Sequence, residues 1–121
     1  MMASPMRAEL SWARSLLASA DLAATPVERR RGCLLAARQG AAAVLSMHRQ
    51  VSPIVEPDEL WARLALEVPV FVEWASYFAL LEGRSRLSER QADDLLRDLT
   101  TFLDLVDRQL SRSRSDRVRY G

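Results

Sequence analysis

The sequence predicts an all-α fold, an up-and-down bundle of four long helices and one short one. Three observations carry that expectation. Apolar residues recur at three- and four-residue steps along most of the 121-residue chain, the spacing of a helix stripe. Proline-led and serine- or threonine-led start signals precede the periodic segments. Only four glycines and five prolines are present, too few for the many sharp turns of a small sheet protein.

The first helix is expected from about Met6 to Leu22. Leu10, Ala13, Leu17 and Ala20 form its stripe, widened by Trp12 and Leu16. Ser4-Pro5 reads as a cap followed by proline at the first helical position. Thr25-Pro26 repeats the signal and opens a second helix to about Gln50, with Val27, Leu34, Leu35, Ala41, Ala42 and Leu45 as its apolar positions. Gly40 inside that helix costs about 1 kcal/mol relative to alanine. A close approach by a neighbouring helix would account for it.

Val51–Pro57 carries two prolines and reads as a linker. A short third helix follows over Asp58–Val68, and Pro69 kinks or restarts the chain. The next helix, to about Leu81, is apolar on most sides, so other helices should enclose it. Gly83 reads as its C-terminal stop. Ser88 and Gln91 have capping-box spacing and open the last helix. Its stripe of Ala92, Leu95, Leu99, Phe102, Val106 and Leu110 ends near Arg112. The expected core is Trp61, Phe71, Trp74, Phe78, Leu99, Phe102 and Val106. Residues 1–112 thus read as the bundle and 113–121 as a disordered, arginine-rich tail.

At 49% apolar and 27% charged, the composition is that of a globular domain. A net charge of +1 provides no overall field toward nucleic acid or a membrane. Lysine is absent, and arginine with abundant alanine points to the codon bias of a GC-rich genome, an actinobacterial one by expectation. The lone Cys33 lies in an apolar run and reads as a reduced, buried thiol. No stretch reaches the roughly 18 apolar residues of a membrane span, and no signal peptide is evident. The expected location is therefore the cytoplasm.

The chemical inventory excludes more than it offers. One histidine and one cysteine cannot build a zinc site. There is no phosphate-cradling glycine loop, so neither a metal nor a cofactor is expected. His48 is the sole imidazole and reads as a helix C-terminal cation favoured by the dipole. Glu73, set in the apolar helix, needs a partner. Arg38 is the obvious candidate, giving a buried polar pair that fixes helix register; the alternatives are the polar floor of a ligand pocket and a Glu73 that simply faces solvent.

Asp93, Asp94, Asp98, Asp104 and Asp107 form an acidic back on the last helix, with Arg90, Arg97 and Arg108 at pairing distance. Arg29, Arg30 and Arg31 stand in the first turns of the second helix, where positive charge opposes the dipole. With Arg112, Arg114, Arg117 and Arg119 of the tail, they are the candidate contacts to nucleic acid or to a partner.

Leu60-Trp61…Leu64, followed by Pro69…Glu73-Trp74-Ala75-Ser76-Tyr77-Phe78-Ala79, resembles the small stand-alone HEPN-domain proteins of actinobacteria. Ala92–Leu110 is similar to that family's last helix, and the arginine- and alanine-rich second helix is similar too. The resemblance covers roughly residues 7 to 112. It implies a bundle of four to five helices, often a homodimer. In many members it also implies ribonuclease or toxin activity from an arginine followed, after four to six residues, by a histidine.

Here nine residues separate Arg38 from His48, about 15 Å along a helix. The last helix has no histidine. The expectation is therefore a non-catalytic binding or regulatory module, homodimeric, contacting RNA or a protein. The alternatives are a ribonuclease or toxin component using Arg38, His48 and Arg49, and the interaction subunit of a toxin–antitoxin-like pair.

Overall fold

The structure, a computed structural model, describes the backbone of residues 5–48 and 56–120 and the side chains of 6–47 and 56–112. Ser4, Arg49, Gln50 and the linker residues 51–55 lie outside the described residues, as does the side chain of His48. Among the described residues there are five α-helices, one 3-10 turn and no strand: α1 Pro5–Asp21, α2 Pro26–His48, α3 Pro57–Glu67, the turn Pro69–Phe71, α4 Val72–Glu82 and α5 Glu89–Tyr120.

Local chemistry sets most of these boundaries. The Thr25 hydroxyl accepts the Glu28 amide at 3.2 Å, and Pro26 fills the first position of α2. At α5 the capping box is complete: the Ser88 amide donates to Gln91 Oε1 at 2.9 Å, and the Gln91 amide to Ser88 Oγ at 3.1 Å. Val68, at φ −132°, leaves helical geometry just before Pro69, as a residue preceding proline must. The break divides the central segment into two helices of 11 residues each, so α4 is as short as α3.

The order of contacts gives the topology. Arg7 meets Asp107 and Arg14 meets Asp104, so α1 runs antiparallel to α5. Arg29 meets Asp93 while Gly40 lies against Phe102 and Leu103, so α2 runs parallel to α5. Phe71 packs on Phe102 and Tyr77 bonds Asp98, which makes α4 antiparallel to α5. The aromatic core lies where α3, α4 and α5 converge. Trp61 stacks on Phe78 at 5.0 Å, and Phe78 meets Phe102 edge-on at 4.9 Å. Burial of each such ring contributes about 1.5–3 kcal/mol. Leu99 and Val106 are buried with them, whereas Trp74 is only partly so.

Three expectations need correction. Trp12, Val27 and Leu35 were placed on buried stripes but are exposed. The central helix is not enclosed: Val72, Glu73, Ser76 and Leu80 face water, because α3 and α5 cover only part of its circumference. Gly83 is the C-cap at which α4 stops, as expected, though at φ −79° rather than in a left-handed conformation; the Gly83 and Arg84 amides meet the Leu80 and Leu81 carbonyls. The last helix continues through Tyr120 rather than giving way to a tail at 113. Arginine has good helix propensity, and an apolar stripe is not required for backbone helix.

Close approach explains two glycines. A Cβ on Gly40 would stand 2.7 Å from a Leu103 methyl carbon and 3.1 Å from Phe102, as the sequence suggested. Gly32, unremarked in the sequence, is tighter in kind: its Cβ would be 2.8 Å from Ala20 Cβ and 3.3 Å from Ala20 Cα. Backbone and Cβ cannot rotate aside. Gly32→Ala should therefore lower stability by about 1–3 kcal/mol despite its better helix propensity. Chemical denaturation checks this, and a stabilised Gly32→Ala protein would contradict the packing of α1 on α2.

Candidate functional site

The chemistry-bearing residues gather around the end of α4. Arg38 projects from the middle of α2 and meets Glu82, not Glu73. Its Nε donates to Glu82 Oε2 at 2.8 Å and its Nη2 to Oε1 at 2.5 Å, a bidentate fork. Trp61 of α3 donates its indole N–H to the same Oε2 at 3.1 Å. One carboxylate therefore joins three helices. Glu73, the expected partner, is exposed on the outer face of α4.

Burial would raise the Glu82 carboxyl. The hydrogen bonds from Arg38 and Trp61, with the charges of Arg38 and Arg30, outweigh it and hold that carboxyl below its usual range. The same hydrogen bond holds the Arg38 guanidinium above its ordinary value, against the opposing effect of burial. A phosphate approaching this arginine would have to compete with Glu82 for two of its five N–H donors.

Two of the three arginines at the start of α2 are also committed. Arg29 donates to Asp93 Oδ1 at 2.8 Å and to the Ala23 carbonyl at 3.2 Å. Arg30 Nη2 reaches the carbonyls of Leu81 at 3.1 Å and Glu82 at 3.4 Å. A cation at the C-terminus of α4 is favoured by that helix dipole, which offsets its unfavourable place at the N-terminus of α2. Arg31 alone of the three is exposed. Arg112 is exposed as well, while Arg114, Arg117 and Arg119 lie on the α5 extension with side chains outside the described set.

The acidic back of α5 is largely an interhelical seam. Arg7 pairs with Asp107 and donates to Ser111 Oγ at 2.7 Å, and Arg14 meets Asp104 at 2.9 Å. Tyr77 donates to Asp98 at 2.5 Å, and its hydroxyl is pushed up first by burial and then by that carboxylate. Among the described residues, the expected pairing within α5 survives only as a long Arg97–Asp94 contact of 3.9 Å. No three His, Cys, Asp or Glu side chains among the described residues gather as metal ligands would.

Between α1 and α5 a groove of about 430 Å³ has an apolar floor of Leu17, Ala18 and Leu96, with Arg14 and Asp93 of the seam at its edge. It brings together no nucleophile and base. Cys33 is fully buried, and burial pushes its thiol up to about 12, so it is inert. Among the described residues no helix is long and apolar enough to cross a membrane.

His48 closes α2 at the backbone level, ten positions beyond Arg38 on one continuous helix. Arg49 lies outside the described residues. The arginine candidate is thus engaged with Glu82, and no histidine stands beside it among the described side chains. The signal that could have identified Glu82 in the sequence is its place one residue before Gly83, where a carboxylate opposes the helix dipole and so calls for a cationic partner.

The fold is thus an all-α bundle organised on a tryptophan–phenylalanine core, with a buried-edge ion pair at the junction of α2, α3 and α4. The family model described as SAV_6107-like HEPN matches residues 20–107, most of the chain, and the protein belongs to that family. Neither a curated protein nor a solved structure matches it.

Glu82 should set the acid stability of the bundle. Its folded carboxyl lies below the unfolded value, so its contribution is full above the usual carboxylate range and is lost as pH falls through the folded value. Glu82→Gln should cost about 1–3 kcal/mol near neutral pH, moderated by solvent at the Arg38 edge. It should also flatten the loss of stability between neutral and acid pH. Urea melts at several pH values read both effects; an unchanged acid slope in Glu82→Gln would contradict this role.

Proposed function

We propose that this protein is a non-catalytic HEPN-like binding and regulatory module that works as a homodimer. The observation that carries the reading is the bidentate Arg38–Glu82 pair, completed by Trp61. A ribonuclease of this type needs an arginine free to face phosphate. Arg38 is instead neutralised and held, and the helix separates it from His48 by about 15 Å. The alternative reading, cleavage by Arg38, His48 and Arg49, would require that pair to open.

Two further observations bear on what is bound. With Arg29 and Arg30 engaged inside the fold, the basic cluster offers Arg31 alone, a weak footprint for a phosphate backbone. Four of the eight exposed large hydrophobic residues fall between Leu66 and Leu80, and such clustering marks protein contact. The module is therefore read as contacting protein rather than RNA, its own copy included. This agrees with the interaction-subunit alternative more closely than with the nucleic-acid one.

The test is incubation of the purified protein with end-labelled structured RNA at low and high salt, following both mobility and integrity. The expected result is intact RNA and, at most, weak salt-sensitive retardation. Metal-independent cleavage that disappears in His48→Ala would overturn the non-catalytic reading.

A further inference from the structure

We infer that the exposed face of the α3–α4 hairpin seats a second copy of this chain, about a two-fold axis passing at Ser76. The inference rests on the homodimeric part of the function proposed above and assigns it a surface.

The hairpin leaves an unusual face in water. Leu66 is 81% exposed, Val70 54%, Val72 47% and Leu80 60%, with Pro69 and Ser76 also outward. From position 68 to 81 Glu73 is the one exposed charge. The outer face of α5 is the opposite case: every exposed described residue on it is polar or charged. The same chain thus keeps one helix fully polar toward water and leaves another aliphatic. No internal packing explains the difference, whereas a face that is covered does.

The spacing identifies the partner. Val72, Ser76 and Leu80 are four residues apart and share one side of α4. In a two-fold pairing the same patch is used twice, so that residue i meets j and j meets i. An antiparallel α4 pair crossing at Ser76 places Val72 against Leu80 of the second copy, twice, and the two serines against each other. The small serine at the crossing lets the axes approach closely.

The charges match as well. Glu73 is the lone acid of the face, and Arg84, just past the end of α4, is exposed and pairs with no acid among the described residues. In the antiparallel register Arg84 of the second copy lies about 7.5 Å along the axis from Glu73, a gap that an arginine side chain spans. Like the aliphatic pairs, this contact occurs twice.

The experiment combines sedimentation with cysteine cross-linking. Ser76→Cys places a thiol beside its own symmetry mate, and Cys33 is too buried to compete. Under mild oxidation Ser76→Cys should convert to a covalent dimer, while Ser19→Cys on the exposed face of α1 should not. Leu80→Asp, a surface change that leaves helicity by circular dichroism intact, should weaken the wild-type dimer at least about tenfold, by setting a charge against an aliphatic side chain.

A dimer that survives Leu80→Asp, with Ser76→Cys cross-linking no faster than Ser19→Cys, would overturn this surface and leave self-association standing. A wild-type chain that is monomeric at high concentration would overturn both the surface and the homodimer. Neither result touches the question of RNA cleavage.

Discussion

The bundle depends on one carboxylate. Glu82 stands at the end of α4, where a negative charge opposes the helix dipole and burial opposes ionisation. It is tolerated there because Arg38 of α2 and Trp61 of α3 both donate to it, while Arg30 reaches the final carbonyls of α4. Two short helices that could not be stable alone are thereby fixed to the long α2. The aromatic contacts of Trp61, Phe78 and Phe102 hold the same register.

That arrangement is the ground for the function proposed for this HEPN domain. Arginine is plentiful, yet its most suggestive members act within the fold: Arg38 on Glu82, Arg30 on the end of α4, and Arg29, Arg14 and Arg7 on the aspartates of α5. The basic and acidic rows that could pass for binding surfaces are largely the two halves of interhelical seams. The outer face of the α3–α4 hairpin, by contrast, is largely aliphatic. Association with protein thus fits the exposed surface better than chemistry on nucleic acid.

The sequence revealed what is decided locally and left open what is decided by register. The capping box of Ser88 and Gln91, the break at Pro69 and the stripe of α5 are properties of residues a few positions apart, and each stands where local chemistry puts it. Gly40 was legible because a helix-interior glycine needs a reason. Arg38 was recognised as needing an acid, but whether α4 offered Glu73 or Glu82 depends on how far two non-adjacent helices slide past each other. No short-range pattern carries that.

The aspartates of α5 had arginines at pairing distance within their own helix, so partners from α1 and α2 were not visible. The outer face of α4 misled for a different reason. An aliphatic stripe implies a neighbour without saying whether that neighbour belongs to the same chain.

The central claim is that Arg38 is a structural residue, and a double-mutant cycle tests it most directly. Arg38→Ala, Glu82→Ala and the double variant would be compared by equilibrium unfolding, with RNA integrity followed in the same samples. The account predicts a favourable coupling of about 1–3 kcal/mol between the two side chains and RNA left intact by every variant and by the wild type. Additive stability effects, together with wild-type RNA cleavage lost on Arg38→Ala, would contradict it.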